Sequence, residues 1–240
     1  MDETRIRYLE AMGITPWVRR GQPAATAATG DLTGTVESAP EAHPDADSPA
    51  KAVGELGWAA LRAVVRDCRR CALHQGRTQA VFGVGPERAD WMLVGEGPGA
   101  EEDRKGEPFV GRAGQLLDGM LEALGLSRET AYIANVVKCR PPENRDPRPE
   151  EAAACADYLD RQIELLQPRL ILAVGRVAAQ RLLATDSALG KLREQVHRYG
   201  PRNVPVVVTY HPAYLLRRPG EKGKVWRDLL FAERSMRDGQ

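Results

Sequence analysis

Four short apolar runs, at residues 91–94, 132–137, 170–174 and 204–209, alternate along the chain with stretches of helical periodicity, and few folds accommodate that order. Runs of four to six apolar residues separated by amphipathic helices build strand–helix–strand units, whose strands pair in parallel and whose helices cover both faces of the sheet. A helix is expected over about 113–124, where Leu116, Leu117, Met120, Leu121 and Leu124 share one face. A second is expected over 149–166, opened by Pro149, Glu150 and Glu151 as a helix amino end prefers. Two more are expected over 176–183 and about 223–236. The predicted fold is α/β, three αβα layers around a four-stranded, mainly parallel sheet.

What precedes this pattern differs in kind. Residues 1–20 hold a short amphipathic tail (Ile6, Tyr8, Leu9, Met12, Ile14, Trp17, Val18), and residues 21–55 are dominated by Ala, Gly, Pro, Ser, Thr and Asp. A segment so poor in large apolar groups cannot offset its ordering entropy, which predicts a disordered linker before a domain at 56–240. No run of 18 apolar residues exists and the amino terminus lacks a signal-peptide core, so a monomeric cytoplasmic protein without a membrane contact is expected. Formal charge is only +1 overall, yet residues 191–227 carry nine Lys or Arg against two Glu, enough to follow a phosphate backbone.

Ligands of parallel sheets sit beyond the carboxyl ends of the strands. Three chemically unusual segments fall there: the turn from Gly95 to Gly99, Asn135, and the His211-Pro212 pair. The turn looks like a dinucleotide-binding glycine loop, but no helix is expected directly after it, and the acids at 101–103 would repel a pyrophosphate. The cysteines form two pairs, Cys68 with Cys71 and Cys139 with Cys155. In a reducing compartment such pairs point to a metal, and their spacing suits either tetrahedral zinc or an iron–sulfur cluster.

The segments Gly95-Glu-Gly-Pro-Gly-Ala-Glu-Glu-Asp103 and Gly106-Glu-Pro-Phe-Val-Gly-Arg-Ala-Gly114 resemble the first motif of family 4 uracil-DNA glycosylases. Asn135-Val-Val-Lys-Cys-Arg-Pro-Pro142 and His211-Pro-Ala-Tyr-Leu-Leu-Arg217 are similar to that family's second and third segments. The resemblance runs from about Cys68 to Phe231 and takes in all four cysteines. It implies a [4Fe–4S] cluster on Cys68, Cys71, Cys139 and Cys155, with zinc as the lesser alternative, and uracil-containing DNA as the partner. Family 5 has an apolar residue in place of Glu96. A relative that traps uracil covalently has Gln in place of Gly97. Turnover of the family 4 kind is therefore expected.

The same resemblance assigns roles that the chemistry makes sensible. Asn135 can accept from N3–H of uracil and donate to O4, where cytosine presents the reverse pattern; Phe109 stacks on the extruded base and Gly97 lines its pocket. His211 donates to the O2 of the departing uracil, as an oxyanion hole does. Glu96 and Glu102 are the carboxylates available to orient water, and Tyr214, Leu215 and Arg217 are the expected DNA contacts. Two other readings compete: a non-catalytic lesion-DNA-binding module of the same fold, and a mononucleotide-binding α/β enzyme.

Overall fold

The computed structural model describes residues 53–238 and, apart from them, Ile6 alone. The expected amphipathic tail and most of the expected linker thus lie outside the described residues. At the expected linker's far end, Val53–Glu55 form a 3-10 turn with Val53 buried.

Helix α1 (Trp58–Arg66) leads to strand β1 (Trp91–Gly95), the short helix α2 (Ala100–Lys105), α3 (Arg112–Ala123) and β2 (Ala131–Asn135). Then come α4 (Pro149–Leu166), β3 (Leu170–Val174), α5 (Arg176–Leu183), the single turn α6 (Leu189–Leu192) and β4 (His197–Tyr199). Strand β5 (Val204–Thr209), α7 (Pro212–Arg217) and α8 (Lys222–Asp238) complete it. The sheet has five strands, ordered β2-β1-β3-β5-β4. The four expected strands pair in parallel; β4 is the addition, antiparallel to β5 at the edge.

Side chains alternate across each strand, so successive residues enter different cores. Met92, Val94, Tyr132, Ile171 and Val206 pack beneath α1, α4 and α5. Trp91, Leu93, Ile133, Leu172 and Val207 pack against α3 and α8. This double covering explains why the parallel strands read as continuous apolar runs.

One polar network crosses the second core. Asp228 on α8 is fully buried and receives both Nε and Nη2 of Arg193 at 2.8 Å and the Thr209 hydroxyl at 2.7 Å. Burial raises the Asp228 pKa, against the pull of Arg193 and Thr209. The network clamps the end of β5 two residues before His211. Asp228→Ala strands the Arg193 guanidinium without its partner and is expected to cost about 3–5 kcal/mol, read as a lower urea midpoint; an unchanged midpoint would show that the pair does not hold the strand.

Candidate active site

Strands that run in parallel deliver their following loops to one edge. Gly95 pairs with Asn135 across β1 and β2, and Val174 pairs with Thr209 across β3 and β5. The turn after β1, the end of β2 and the start of α7 consequently enclose a cleft of about 320 Å³. Glu96, Gly97, Glu102, Phe109, Asn135, His211, Tyr214 and Arg217 all line it.

Asn135 lies at the last position of β2, 2% exposed. Its Oδ1 is buried without any hydrogen-bond partner, the one such side-chain atom among the described residues. An orphaned buried acceptor costs roughly 1–3 kcal/mol, and a ligand donor offsets that cost. The strand end beneath it is held by Lys138, whose Nζ donates to the Asn135 carbonyl at 2.8 Å and to Gln162 Oε1 at 2.6 Å.

Gly97 follows Glu96 where the turn crosses β2's extension. A Cβ there would stand 2.7 Å from Val137 Cγ2, so a larger residue must displace either Val137 or the turn.

The acids after the turn have a use that their sequence does not advertise. Contrary to expectation a helix, α2, does open directly after Gly99, and Glu101, Glu102 and Asp103 form its first turn, where the helix dipole favours negative charge. Glu102 Oε2 accepts from Gly99 N–H at 3.1 Å, and its Oε1 accepts from the N–H groups of Val110 and Gly111, each at 2.9 Å. Glu102 thus ties the turn after β1 to the Phe109 loop, and three backbone donors occupy the carboxylate that was a candidate for water.

Phe109 has a left-handed backbone, φ 55°, sparsely populated by a bulky residue. Arg128 holds it there, donating to the carbonyls of Pro108 and Phe109 while its Nε meets Asp118 at 2.8 Å. The turn also needs a glycine at 114, because a Cβ at that position would lie 1.6 Å from the Phe109 carbonyl oxygen. The ring stands 5.4 Å from that of His211.

His211 is the N-cap of α7, and its Nδ1 accepts from Ala213 N–H at 3.2 Å. That bond leaves the proton of the neutral ring on Nε2. Burial, reinforced by Arg217 and opposed by Glu102, brings its pKa down to about 4. The imidazole is a neutral N–H donor throughout the physiological range, not an acid.

Glu96 behaves oppositely. Burial and then the Asp146 carboxyl, which is both a nearby charge and a hydrogen-bond partner, push its pKa up to about 7, with Arg176 pulling it back. Asp146, with Asn144 and Arg145, comes from the loop after β2 and lines the cleft. Sequence reasoning passed over these three, although an Asn, an Arg and an Asp between prolines just beyond Asn135 were a visible polar cluster.

Comparison with known proteins agrees with this geometry. The family model described as "Uracil DNA glycosylase superfamily" matches residues 82–230. The "Type-4 uracil-DNA glycosylase" of Archaeoglobus fulgidus is 50% identical over 163 residues, which are 65% of this chain and 81% of the relative. That of Pyrobaculum aerophilum is 43% identical over 177 residues, 71% and 90% of the two chains. The chain belongs to the uracil DNA glycosylase superfamily, in its type 4 branch. A "Type-5 uracil-DNA glycosylase" of Thermus thermophilus is more distant, 32% identical over 63% of this chain and 75% of the relative.

Against the superfamily's DNA-facing role, Leu215 is a correction. It is 1% exposed, packed in the core under α3 and α8, and cannot enter a DNA duplex from there. The next residue, Leu216, is 38% exposed, and Tyr214 stacks on Tyr210 with centroids 5.0 Å apart. Helix α7 itself was not among the helices expected from the sequence, so no burial phase was available to tell the two leucines apart.

Cys68, Cys71, Cys139 and Cys155 border one corner of the first core, the last two buried. Arg77 Nη1 donates to Cys139 Sγ at 2.8 Å, Lys138 N–H to Cys155 Sγ at 3.3 Å and Arg70 N–H to Cys68 Sγ at 3.4 Å. Among the described residues, no three His, Cys, Asp or Glu side chains stand together as a metal-binding group. No helix among them is long and apolar enough to cross a membrane.

Gly114→Ala tests how the Phe109 loop is built. The added methyl collides with the Phe109 carbonyl, so the variant is expected to lose stability by about 1–3 kcal/mol, read as a lower urea midpoint. An unchanged midpoint would show that the loop is not held as described.

Proposed function

We propose that this protein hydrolyses the N-glycosidic bond of uracil in DNA, releasing free uracil and leaving an abasic site, in base excision repair. The observation that carries the reading is the unpartnered Oδ1 of Asn135 in a cleft that also holds a neutral imidazole donor and a raised carboxyl. A base inside a duplex cannot reach such a cleft, so the nucleotide is extruded first. In this reading Leu216, exposed on α7, fills the gap left in the stack, and Arg217 on the cleft wall holds an adjacent phosphate.

Within the cleft, the base lies against Phe109. Asn135 Oδ1 accepts from uracil N3–H while its amide donates to O4, and cytosine leaves both groups mispaired at roughly 1–3 kcal/mol each. As the bond from C1′ to N1 breaks, charge gathers on uracil O2 and the His211 Nε2–H strengthens its bond to it. A neutral donor suits this step, since the uracil leaves as an anion and requires no proton at the transition state. Gly97 lets the turn after β1 approach the same oxygen. Glu96, once ionised, stabilises the cationic sugar and orients the water that adds to C1′; the proton lost by that water passes to Glu96. Glu102 braces the turn instead. A non-catalytic binding module remains the alternative, and the raised Glu96 speaks against it, since binding alone needs no such group.

The superfamily branch and the donors around the sulfurs support a [4Fe–4S] cluster on Cys68, Cys71, Cys139 and Cys155. Backbone N–H groups directed at sulfur, with Arg77 beside Cys139, fit thiolates that share a metal cluster. Bound there, the cluster acts as a staple between the chain before β1 and the loop that follows Asn135.

Uracil release from a uracil-containing oligonucleotide checks the activity. His211→Ala is expected to lower the single-turnover rate by roughly 10²–10³, the usual effect of one lost oxyanion donor. Asn135→Ala is expected to erase most discrimination between uracil and cytosine. If wild-type protein purified anaerobically binds this DNA yet releases no base, the binding-module alternative holds. For the cysteines, Cys139→Ala is expected to abolish bound iron and lower the melting temperature; stoichiometric zinc in the wild type would replace the cluster assignment.

A further inference from the structure

Strand β2 lies at the margin of the sheet, so the backbone groups that face away from β1 need partners outside the ladder. Ile133 finds both of its partners in Val84, which donates to its carbonyl at 2.9 Å and accepts from its N–H at 2.7 Å. Farther along, the Lys138 carbonyl accepts from Val81 N–H at 2.7 Å. Asn135 lies between these two points, and its carbonyl turns the same way as that of Ile133, because a strand repeats every two residues. The partner of that carbonyl is a side chain, Lys138 Nζ at 2.8 Å.

Lys138 is fully buried, and its second partner is Gln162 Oε1 at 2.6 Å. Neither partner is a carboxylate. An apolar side chain of the same reach would fill this space at lower cost, so what the lysine adds is the two hydrogen bonds. Gln162, also fully buried, is aimed in its turn: its Nε2 donates to the Phe82 carbonyl at 3.0 Å and to the Tyr132 hydroxyl at 3.1 Å. That hydroxyl occupies the room left at Gly83, where a Cβ would stand 2.8 Å from it. A continuous line of buried bonds thus runs from helix α4 through Gln162 and Lys138 to the peptide that carries Asn135. From the β1 side the Asn135 amide packs on bare backbone, since a Cβ at Gly95 would stand 2.5 Å from its Oδ1. Closed in this way, the orphaned Oδ1 points where the peptide behind it is tilted.

We propose that Lys138 is a positioning residue for uracil recognition: aimed by Gln162, it fixes through the Asn135 carbonyl the peptide plane from which the Asn135 amide is presented to the base. The inference rests on the reading of Asn135 as the group that recognises uracil, and adds the residue that sets its direction. Lys138 is not among the residues lining the cleft, so it acts on the base only through Asn135. An amide that accepts from N3–H and donates to O4 together tolerates little tilt, because hydrogen bonds weaken steeply as their angles close. A displacement of about 1 Å in such a group can cost on the order of 10² in rate.

Lys138 also precedes Cys139, and its N–H donates to Cys155 Sγ at 3.3 Å, so an effect through the cysteines has to be separated from one through Asn135. A double-mutant cycle does so, read as single-turnover uracil release by the full chain purified anaerobically, with bound iron and melting temperature measured on each variant. Lys138→Met keeps the reach of the side chain and loses the donor; it is expected to slow release roughly ten- to a hundredfold. In the Asn135→Ala background the same substitution is expected to change the rate by no more than about twofold, because the group it positions is gone. Gln162→Met leaves Lys138 and both cysteines in place and removes the acceptor that aims the lysine. It is expected to slow release by roughly threefold or more, again only where Asn135 is present, and it decides the matter should Lys138→Met fold poorly or lose iron. An unchanged rate in the otherwise wild-type protein, or equal losses with and without Asn135, overturns the proposal. Asn135→Ala alone separates the two levels: if it leaves the rate unaltered, the reading of Asn135 is what fails, before Lys138 is considered.

Discussion

The parallel register of β1 with its neighbours is the constraint from which the rest of the site follows. Gly95 stands opposite Asn135, so the first residues beyond β1 and the last side chain of β2 emerge side by side. Because β3 and β5 run the same way, the loops after them open on the same edge, and residues separated by more than 100 positions reach one cleft. Antiparallel pairing at any of these junctions would send one loop to the other end of the sheet. The only antiparallel strand described, β4, lies at the margin, where its direction has no effect on the cleft.

On that scaffold the chemistry is set by unequal hydration. His211 and Glu96 sit within one cleft, yet burial drives each toward its neutral form, downward for the base and upward for the acid. One desolvated cavity thereby keeps the imidazole a neutral N–H donor over the physiological range and makes the carboxyl a group that changes charge near pH 7.

Much of this was legible in the sequence where period or composition carried it. The strands at 170–174 and 204–209 and the helices at 149–166 and 176–183 were placed with the observed bounds, because buried parallel strands and long amphipathic helices leave strong patterns. The missing strand, His197–Tyr199, has three residues, none fully buried, and no apolar run to announce it. Helix α2 was overlooked because its acids were weighed against a phosphate ligand and not as the first turn of a helix. Glu96, Asn135, Phe109 and His211 were found through motif resemblance, and the cleft unites them. Leu215 and Leu216 differ only in which way the helix is turned, a matter settled by the packing of α7 against α3 and α8 and not by the local string.

The bent backbone at Phe109 also bears on how much of the cleft wall is built in advance. A left-handed bulky residue costs on the order of 1–3 kcal/mol, and here that cost is met by Arg128 and by the room left at position 114. Both supports come from the chain itself, so the ring is a fixed plate, and the width of the opening beside it is a property of the fold.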